Sequence, residues 1–520
     1  MKAARETIGL VRAGLVLACL FAWLAVTAGL RPLMSPDEGR YAGVAFEMLR
    51  SGDWLVPRLD GMPFFHKPPL FYWISAAAMG LMGASEWPAR LPSMIGATLA
   101  AGGLFLFLRR WADPARATLA TVVLATMPFF YLGAQFANLD MLVAGCIAAT
   151  LLLAADAALS KAQGRAWRIA LAGAFAFAAL GVLAKGLIGV VLPGAIFLAW
   201  CAAIRRPRLA GLMAWPPGWV LLLAITVPWF AAVQVRHPGF LDYFVLTQHV
   251  RRFASGGFNG EHPFWFYLPV IAVFTLPWIA WAAAALRPLR GLRAPLSEVD
   301  WLMWIWCVGI VLFFSLPRSK LVGYVLPALP PLAYLIAKAA LAAARAGGRW
   351  SSAPRWTAVA SGLVCIAGLA WLAMQTAPPG QRLRLPAGEA VGPADQVLML
   401  GAYYYELPFY WGLRQPVQVS ADWTPATVAQ RDDWRKELYE AGGFDSERSA
   451  ALLIDVRRLP AALCVPHATW LVGASGAPAV LPWLAQARLV AVDSDTAVWR
   501  FAGSATRDPN CLQPSEGVVP

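Results

Sequence analysis

With 59% of its 520 residues hydrophobic and only 14% charged, the chain has more apolar surface than a soluble globular protein of this length needs. Repeated apolar runs of about twenty residues identify a polytopic α-helical membrane protein. The net charge of +14 would suggest nucleic acid in a soluble protein, but here the basic residues cluster between apolar runs and report orientation, so nucleic acid is set aside as a partner.

The N-terminus reads Lys2, Arg5 and Arg12 and is then apolar to Leu30. That run is long for a signal peptide and has no convincing small-residue cleavage site, so it reads as an uncleaved first span. Ser35-Pro36-Asp37-Glu38-Gly39-Arg40-Tyr41 follows directly. Its pattern predicts a helix start, with Ser35 as N-cap, Pro36 at N1 and Glu38 at N3 in a capping box. Tyr41, Val44, Ala45, Met48 and Leu49 share one stripe, which predicts a helix lying on the membrane. Asp37 falls near the positive end of that helix, where an ionised carboxylate is favoured. As plain capping residues, Asp37 and Glu38 would carry no chemistry. The rest of this long first loop, 31–89, holds an extended stretch 53–58, the turn Asp60-Gly61-Met62-Pro63, and Phe64-Phe65-His66-Lys67-Pro68-Pro69. Leu70 to Gly83 is apolar but short, and reads as a second surface helix or a re-entrant segment.

Length and charge predict about eleven spans, and at most about thirteen. They fall near 9–30, 90–111, 115–135, 140–160, 167–184, 187–204, 211–234, 263–286, 301–316, 321–342 and 355–374. With the N-terminus inside, every inside loop is arginine-rich, as at Arg109, Arg110 and Arg116 or Arg205, Arg206 and Arg208. The outside segments are then 31–89, 136–139, a hinge at Lys185, a large loop 235–262, the turn 317–320, and 375–520. Trp54, Trp73, Trp229, Trp265 and Trp278 read as interfacial anchors. Residues 1–374 are thus expected as a membrane domain and 375–520 as a small mixed α/β domain outside the cytoplasm. That second part shows strand patterns at 396–400, 451–456, 469–472 and 488–492 and helix patterns at 424–439 and 480–486. Cys19, Cys146, Cys201, Cys307 and Cys365 sit in apolar runs as core residues. Cys464 and Cys511 can form a disulfide if their part lies outside the cytoplasm.

This topology gathers Asp37, Arg40, His66, Lys67, Asp140, Lys185, His249, Arg251, Arg252, Glu261, His262, Lys320 and Tyr324 on or near one membrane face. Asp140 opens a span, and Lys185 interrupts the apolar stretch Ala170 to Leu198. Charges at membrane depth are expensive and usually face a polar cavity; the plainer alternative is a lysine snorkelling from a loop between spans. Lys67, Lys185 and Arg252 suit an anionic headgroup, most simply a phosphate. A carboxylate beside it can take a proton from an acceptor or orient its ammonium or hydroxyl. The sequence has no Gly-rich nucleotide loop, so a lipid-phosphate donor fits. Lone histidines are more often structural than functional, but His66 and His249 stand beside Lys67 and Arg251.

These motifs, with Gly52-Asp53-Trp54-Leu55-Val56-Pro57-Arg58, Lys67-Pro68-Pro69-Leu70-Phe71-Tyr72-Trp73, Arg90-Leu91-Pro92-Ser93 and Lys320-Leu321-Val322-Gly323-Tyr324-Val325-Leu326-Pro327, resemble the bacterial aminoarabinose transferases that modify lipid A. That family lies in the wider GT-C group with the protein O-mannosyltransferases. The resemblance implies an inverting, integral-membrane glycosyltransferase of the bacterial inner membrane. It would move 4-amino-4-deoxy-L-arabinose from an undecaprenyl-phosphate donor to a lipid A phosphate at the periplasmic face. Asp37 and Asp140 then match catalytic aspartates. Lys67 and Lys185 match lysines of donor-phosphate binding, and Arg40 and Tyr41 the pair beside the first aspartate. His249, Arg252, Lys320 and Tyr324 complete the donor side. Where this chain has His66, the family commonly has a glutamate linked to a divalent metal. Histidine can still bind zinc but removes a negative charge. The rival readings are a related transferase with a protein, glycan or other lipid acceptor, a lipid flippase or transporter, and a structural anchor for the C-terminal part. Charges clustered at one face beside a large loop argue against transport.

Overall fold

The computed structural model describes residues 2–251, 260–285, 295–346, 350–375, 381, 383, 385–493 and 495–503. Within them, seven helices are long and apolar enough to cross a membrane, and the pair Pro114–Thr126 and Pro128–Ala134, bent by 67°, makes an eighth. The bend has a local cause: Pro128 lacks the amide a continuing helix needs and forces Met127 into an extended conformation. Three shorter apolar helices, Ala13–Ala25, Ile188–Ala203 and Phe264–Phe274, occupy the other stretches expected as spans.

In chain order the first part comprises α1 (Lys2–Ala25), α2 (Asp37–Ser51), the hairpin β1 (Arg58–Leu59) and β2 (Met62–Pro63), α3 (Leu70–Met82), α4 (Glu86–Trp111), α5 (Pro114–Thr126), α6 (Pro128–Ala134), α7 (Leu139–Ala162), α8 (Arg168–Lys185), α9 (Ile188–Ala203) and α10 (Pro216–Arg236). Helices α4 and α7 meet backbone to backbone. A Cβ on Gly96 would lie 2.3 Å from the Met141 carbonyl oxygen, and one on Gly145 2.2 Å from that of Gly96. Small residues permit this approach where burial against lipid offers little driving force. The expected turn at Asp60-Gly61 is a two-residue hairpin with positive φ at both positions, 52° and 78°.

Two expectations for α2 are corrected. The helix begins at Asp37, and no side chain caps it. Glu38 turns inward instead of reaching back to Ser35. The apolar stripe of Tyr41, Val44, Ala45 and Met48 is buried in protein, not in lipid. Tyr41 packs on Phe71 and Tyr72 of α3. On the other side Gly39 and Gly43 approach Glu406 and Tyr405 within 3.0 and 3.1 Å of where their Cβ atoms would stand. Of the expected tryptophan anchors, Trp229 and Trp278 are buried. They bond the Leu55 carbonyl and the Thr126 hydroxyl respectively.

The C-terminal part is a six-stranded mixed sheet in the order β5-β4-β3-β6-β8-β7. The strands are β3 (Gln396–Leu400), β4 (Gln418–Ala421), β5 (Leu453–Asp455), β6 (Thr469–Ala474), β7 (Arg488–Asp493) and β8 (Thr496–Phe501). β3 runs parallel to β4 and β6, and β8 antiparallel to β6 and β7. One hydrophobic core runs on from the helices into this sheet, joining Met79, Leu104 and Leu151 with Val397, Met399, Trp470 and Val498. The first loop is pinned to it as well: the Asp60 carboxylate accepts the Val417 amide at 2.8 Å. Cys464 is disulfide-bonded; Cys511, its expected partner, lies outside the described residues.

Candidate active site

Glu38 fixes the frame of the site. Its fully buried carboxylate accepts from Arg31 and from Arg90 (Nε 2.8 Å, Nη2 3.1 Å). It also accepts the amides of Met34 at 3.0 Å and Ala137 at 2.7 Å. Burial alone would raise its pKa, but the two guanidiniums outweigh it and hold the group at about 2. Arg31 also donates to the Gln135 carbonyl at 2.8 Å, and Ser93 of α4 to those of Phe136 and Asn138 at 2.7 and 2.9 Å. The segment entering α7 is thereby tied to the start of α2. Asn138 caps α7 by accepting the Asp140 amide at 2.7 Å. One carboxylate thus sets the spacing of Asp37, its neighbour in sequence, and Asp140.

The two aspartates stand on the more open side of that frame. Asp37 keeps 44% of its side chain exposed and pairs with Arg40 at 2.6 Å. Burial by the surrounding protein raises its pKa; Arg40 pulls it down, while the nearby charges of Asp140 and Glu437 push it up again. Asp140 is paired with Lys185. That lysine is the last residue of α8, whose helix stops at Gly186 in a conformation with φ of 92°. Its ammonium lies 4.3 Å above the Tyr324 ring. Gly323 leaves room for this arrangement, since a Cβ there would fall 2.5 Å from an Asp140 carboxylate oxygen. Asp37, Arg40, Asp140, Lys185 and Tyr324 therefore form one electrostatic neighbourhood.

The C-terminal sheet region supplies two carboxylates that sequence reasoning missed. Glu437 and Glu440 lie on the helix Trp434–Gly442. Glu437 pairs with Arg40 and accepts from the Tyr405 hydroxyl at 2.6 Å. Glu440 lies 3.2 Å from His66 Nε2 and accepts from the Tyr243 hydroxyl at 2.5 Å. Burial would raise both pKa values, but Arg40 and His66 lower Glu437, and His66 with Tyr243 lowers Glu440. The available signal was two glutamates at i, i+3, which share a helix face.

The remaining predicted residues divide. Lys67 is half-buried beside His66, between β2 and α3. Tyr41 is buried, with the Arg40 guanidinium 5.2 Å from its ring. Lys320 is buried and donates to the backbone carbonyls of His262, at 2.9 Å, and Pro317, which ties two turns together. Arg252 and the side chain of His249 lie outside the described residues. As for a metal at His66, no group of three or more His, Cys, Asp or Glu among the described residues is placed to hold one. His66 instead faces Glu440, so the described donors do not fit a metal and no step is assigned to it.

Bundled spans, a long first loop packed beneath a C-terminal sheet, and carboxylates paired with cations at their junction define a multi-span membrane glycosyltransferase of the GT-C type. ArnT from Cupriavidus metallidurans bound to undecaprenyl phosphate superposes with a TM-score of 0.77 at 24% identity, over 95% of this chain and 98% of that one. The archaeal oligosaccharyltransferase AglB from Archaeoglobus fulgidus gives 0.52 at 13% identity, over 92% of this chain and 71% of that one. Residues 66–231 match the family described as dolichyl-phosphate-mannose-protein mannosyltransferase. The undecaprenyl phosphate-α-4-amino-4-deoxy-L-arabinose arabinosyl transferase of Aeromonas hydrophila is 30% identical over 402 residues, 76% of this chain and 70% of the relative. That of Aeromonas salmonicida is 33% identical over 350 residues, 66% of this chain and 63% of the relative. The chain belongs to the family of these arabinosyl transferases.

Proposed function

We propose that the chain transfers 4-amino-4-deoxy-L-arabinose from undecaprenyl phosphate to a phosphate of lipid A, at the periplasmic face of a bacterial inner membrane. The observation that carries this reading is the pairing of Asp37 with Arg40 and of Asp140 with Lys185 in one neighbourhood. The bond from the sugar's anomeric carbon to the carrier phosphate breaks, and a bond from that carbon to the acceptor phosphate oxygen forms on the opposite face. The leaving group is a phosphate monoester, whose charge Lys185 and Lys67 stabilise as it develops. An acceptor phosphate is already ionised at neutral pH and needs no strong base. Asp37, held between Arg40 and the open side, therefore orients the sugar, whose ammonium suits a carboxylate. Asp140 holds Lys185 over Tyr324. The Arg40–Glu437 pair closes the site from the C-terminal side.

The test is transfer in reconstituted vesicles carrying undecaprenyl-phosphate aminoarabinose and lipid A, read as the mass of lipid A. We expect addition of one aminoarabinose, and loss of at least about a hundredfold in rate with Asp37→Asn or Asp140→Asn, since both position reacting groups. Undiminished transfer by both variants overturns the residue assignment. A sugar found on a co-reconstituted periplasmic protein and not on lipid A overturns the acceptor.

A further inference from the structure

At the other end of α2 from Asp37 lies a second charged site. An open basin of about 720 Å³ is lined by Glu47 and Arg50 of α2, by Asp53 and Arg58 after it, by Arg236 at the end of α10, and by Arg414 and Arg448 from the C-terminal part. Five guanidiniums face two carboxylates of the lining, and a third, Asp445, pairs with Arg448 at 3.6 Å from behind. Asp53 is shared between Arg58 at 3.1 Å and Arg236 at 3.2 Å, and Glu47 stands 3.9 Å from Arg50. Glu47 also accepts the Gly61 amide at 2.7 Å. Arg50 donates to the Leu413 carbonyl, and Arg448 to that of Gly61. Arg414 is exposed and makes no hydrogen bond or ion pair among the described residues. The side chains of Arg236 and Arg448 remain about half exposed, at 48% and 50%. Donors from three separate segments thus point into one basin with a net positive charge and donor groups to spare.

Its level is set by its neighbours. Arg236 is the last residue of a membrane span. Trp54, beside Asp53, is 41% exposed, and its carbonyl accepts the Trp73 indole at 2.6 Å. A span end beside exposed tryptophan is where lipid headgroups lie. Guanidinium forks match phosphate oxygens two at a time. Arg50 stands thirteen helical steps after Asp37, about 20 Å along α2, so an anion held here is not the one that reacts.

We propose that this basin binds the phosphate headgroup of an anionic membrane lipid. The test uses the full chain in vesicles of phosphatidylcholine alone or with phosphatidylglycerol. Lipid retention is read by native mass spectrometry, and the unfolding midpoint is measured alongside. We expect wild type to retain phosphatidylglycerol and to be stabilised by it. Arg236→Gln/Arg414→Gln should retain it about tenfold more weakly, with an unchanged midpoint in phosphatidylcholine. Should that midpoint move, Arg414→Gln alone decides, because no structural partner is lost. An unchanged preference in these variants overturns the proposal. So does an equal loss in Arg165→Gln/Arg208→Gln, exposed arginines elsewhere, which would report bulk charge. Millimolar inorganic phosphate stabilising wild type where phosphatidylglycerol does not would overturn the lipid and leave a free-anion site.

Discussion

Asp37 and Glu38 are consecutive carboxylates with opposite surroundings. Glu38 is fully buried, has two arginines and two backbone amides, and leaves nothing for a ligand. Asp37 shares one arginine with Glu437 and keeps an open edge. The first arrangement builds a frame; the second leaves bonding capacity for a substrate. The difference teaches that proximity in sequence says little about surroundings: one turn of helix presents a fully bonded anion inward and a half-exposed one outward.

The most damaging way to break the contrast is Glu38→Ala. It strands two buried guanidiniums and should cost about 3–5 kcal/mol, read as loss of folded protein or a collapsed unfolding midpoint in detergent. Asp37→Asn should leave the stability within about 0.5 kcal/mol of wild type, with the midpoint nearly unmoved. Equal destabilisation would erase the distinction. Acid sharpens it next. Glu38 ionises at about 2 in the folded chain against an ordinary 4.5. Its contribution, on the order of 3 kcal/mol, is present in full above pH 4.5 and lost as pH falls through 2. Unfolding midpoints across that window should drop more steeply in wild type than in Glu38→Gln. A smaller effect tests the second aspartate. Gly323→Ala should push the Asp140 carboxylate off Lys185 and slow transfer about tenfold, with little change in stability. The smallest is a shift of the pH–rate profile. Arg40 lowers the raised pKa of Asp37; with Asp37 ionised in the role proposed for it, Arg40→Met should move the acid limb of kcat/KM to higher pH. Glu437→Gln removes a charge that raises that pKa and should move the limb to lower pH.

Much of this was legible because it is written locally. Spans follow from run length, a turn at Asp60-Gly61 from its dipeptide, though not the strand pairing that makes it a hairpin, and β3 from its apolar run. What escaped depends on distant partners. The Ser35–Glu38 spacing imitates a capping box, and only the fold brings Arg90 to Glu38 from 52 residues away. Strand β8 lacks a clean polar alternation because Thr496 to Trp499 are all buried. Glu437 meets Arg40 across 397 residues, and no local pattern encodes that contact. At position 66, where the resemblance led to an expected glutamate, the chain has a histidine, yet Glu440 brings a negative charge beside it from another element.

That long-range closure bears on how the molecule is made. Arg40 emerges from the ribosome about 400 residues before the helix carrying Glu437 and Glu440. Until it arrives, the first loop has no lid and the guanidinium of Arg40 lacks one of its two anions. A chain released before that point, even with every span inserted, would carry both aspartates without the carboxylates that pair with Arg40 and His66.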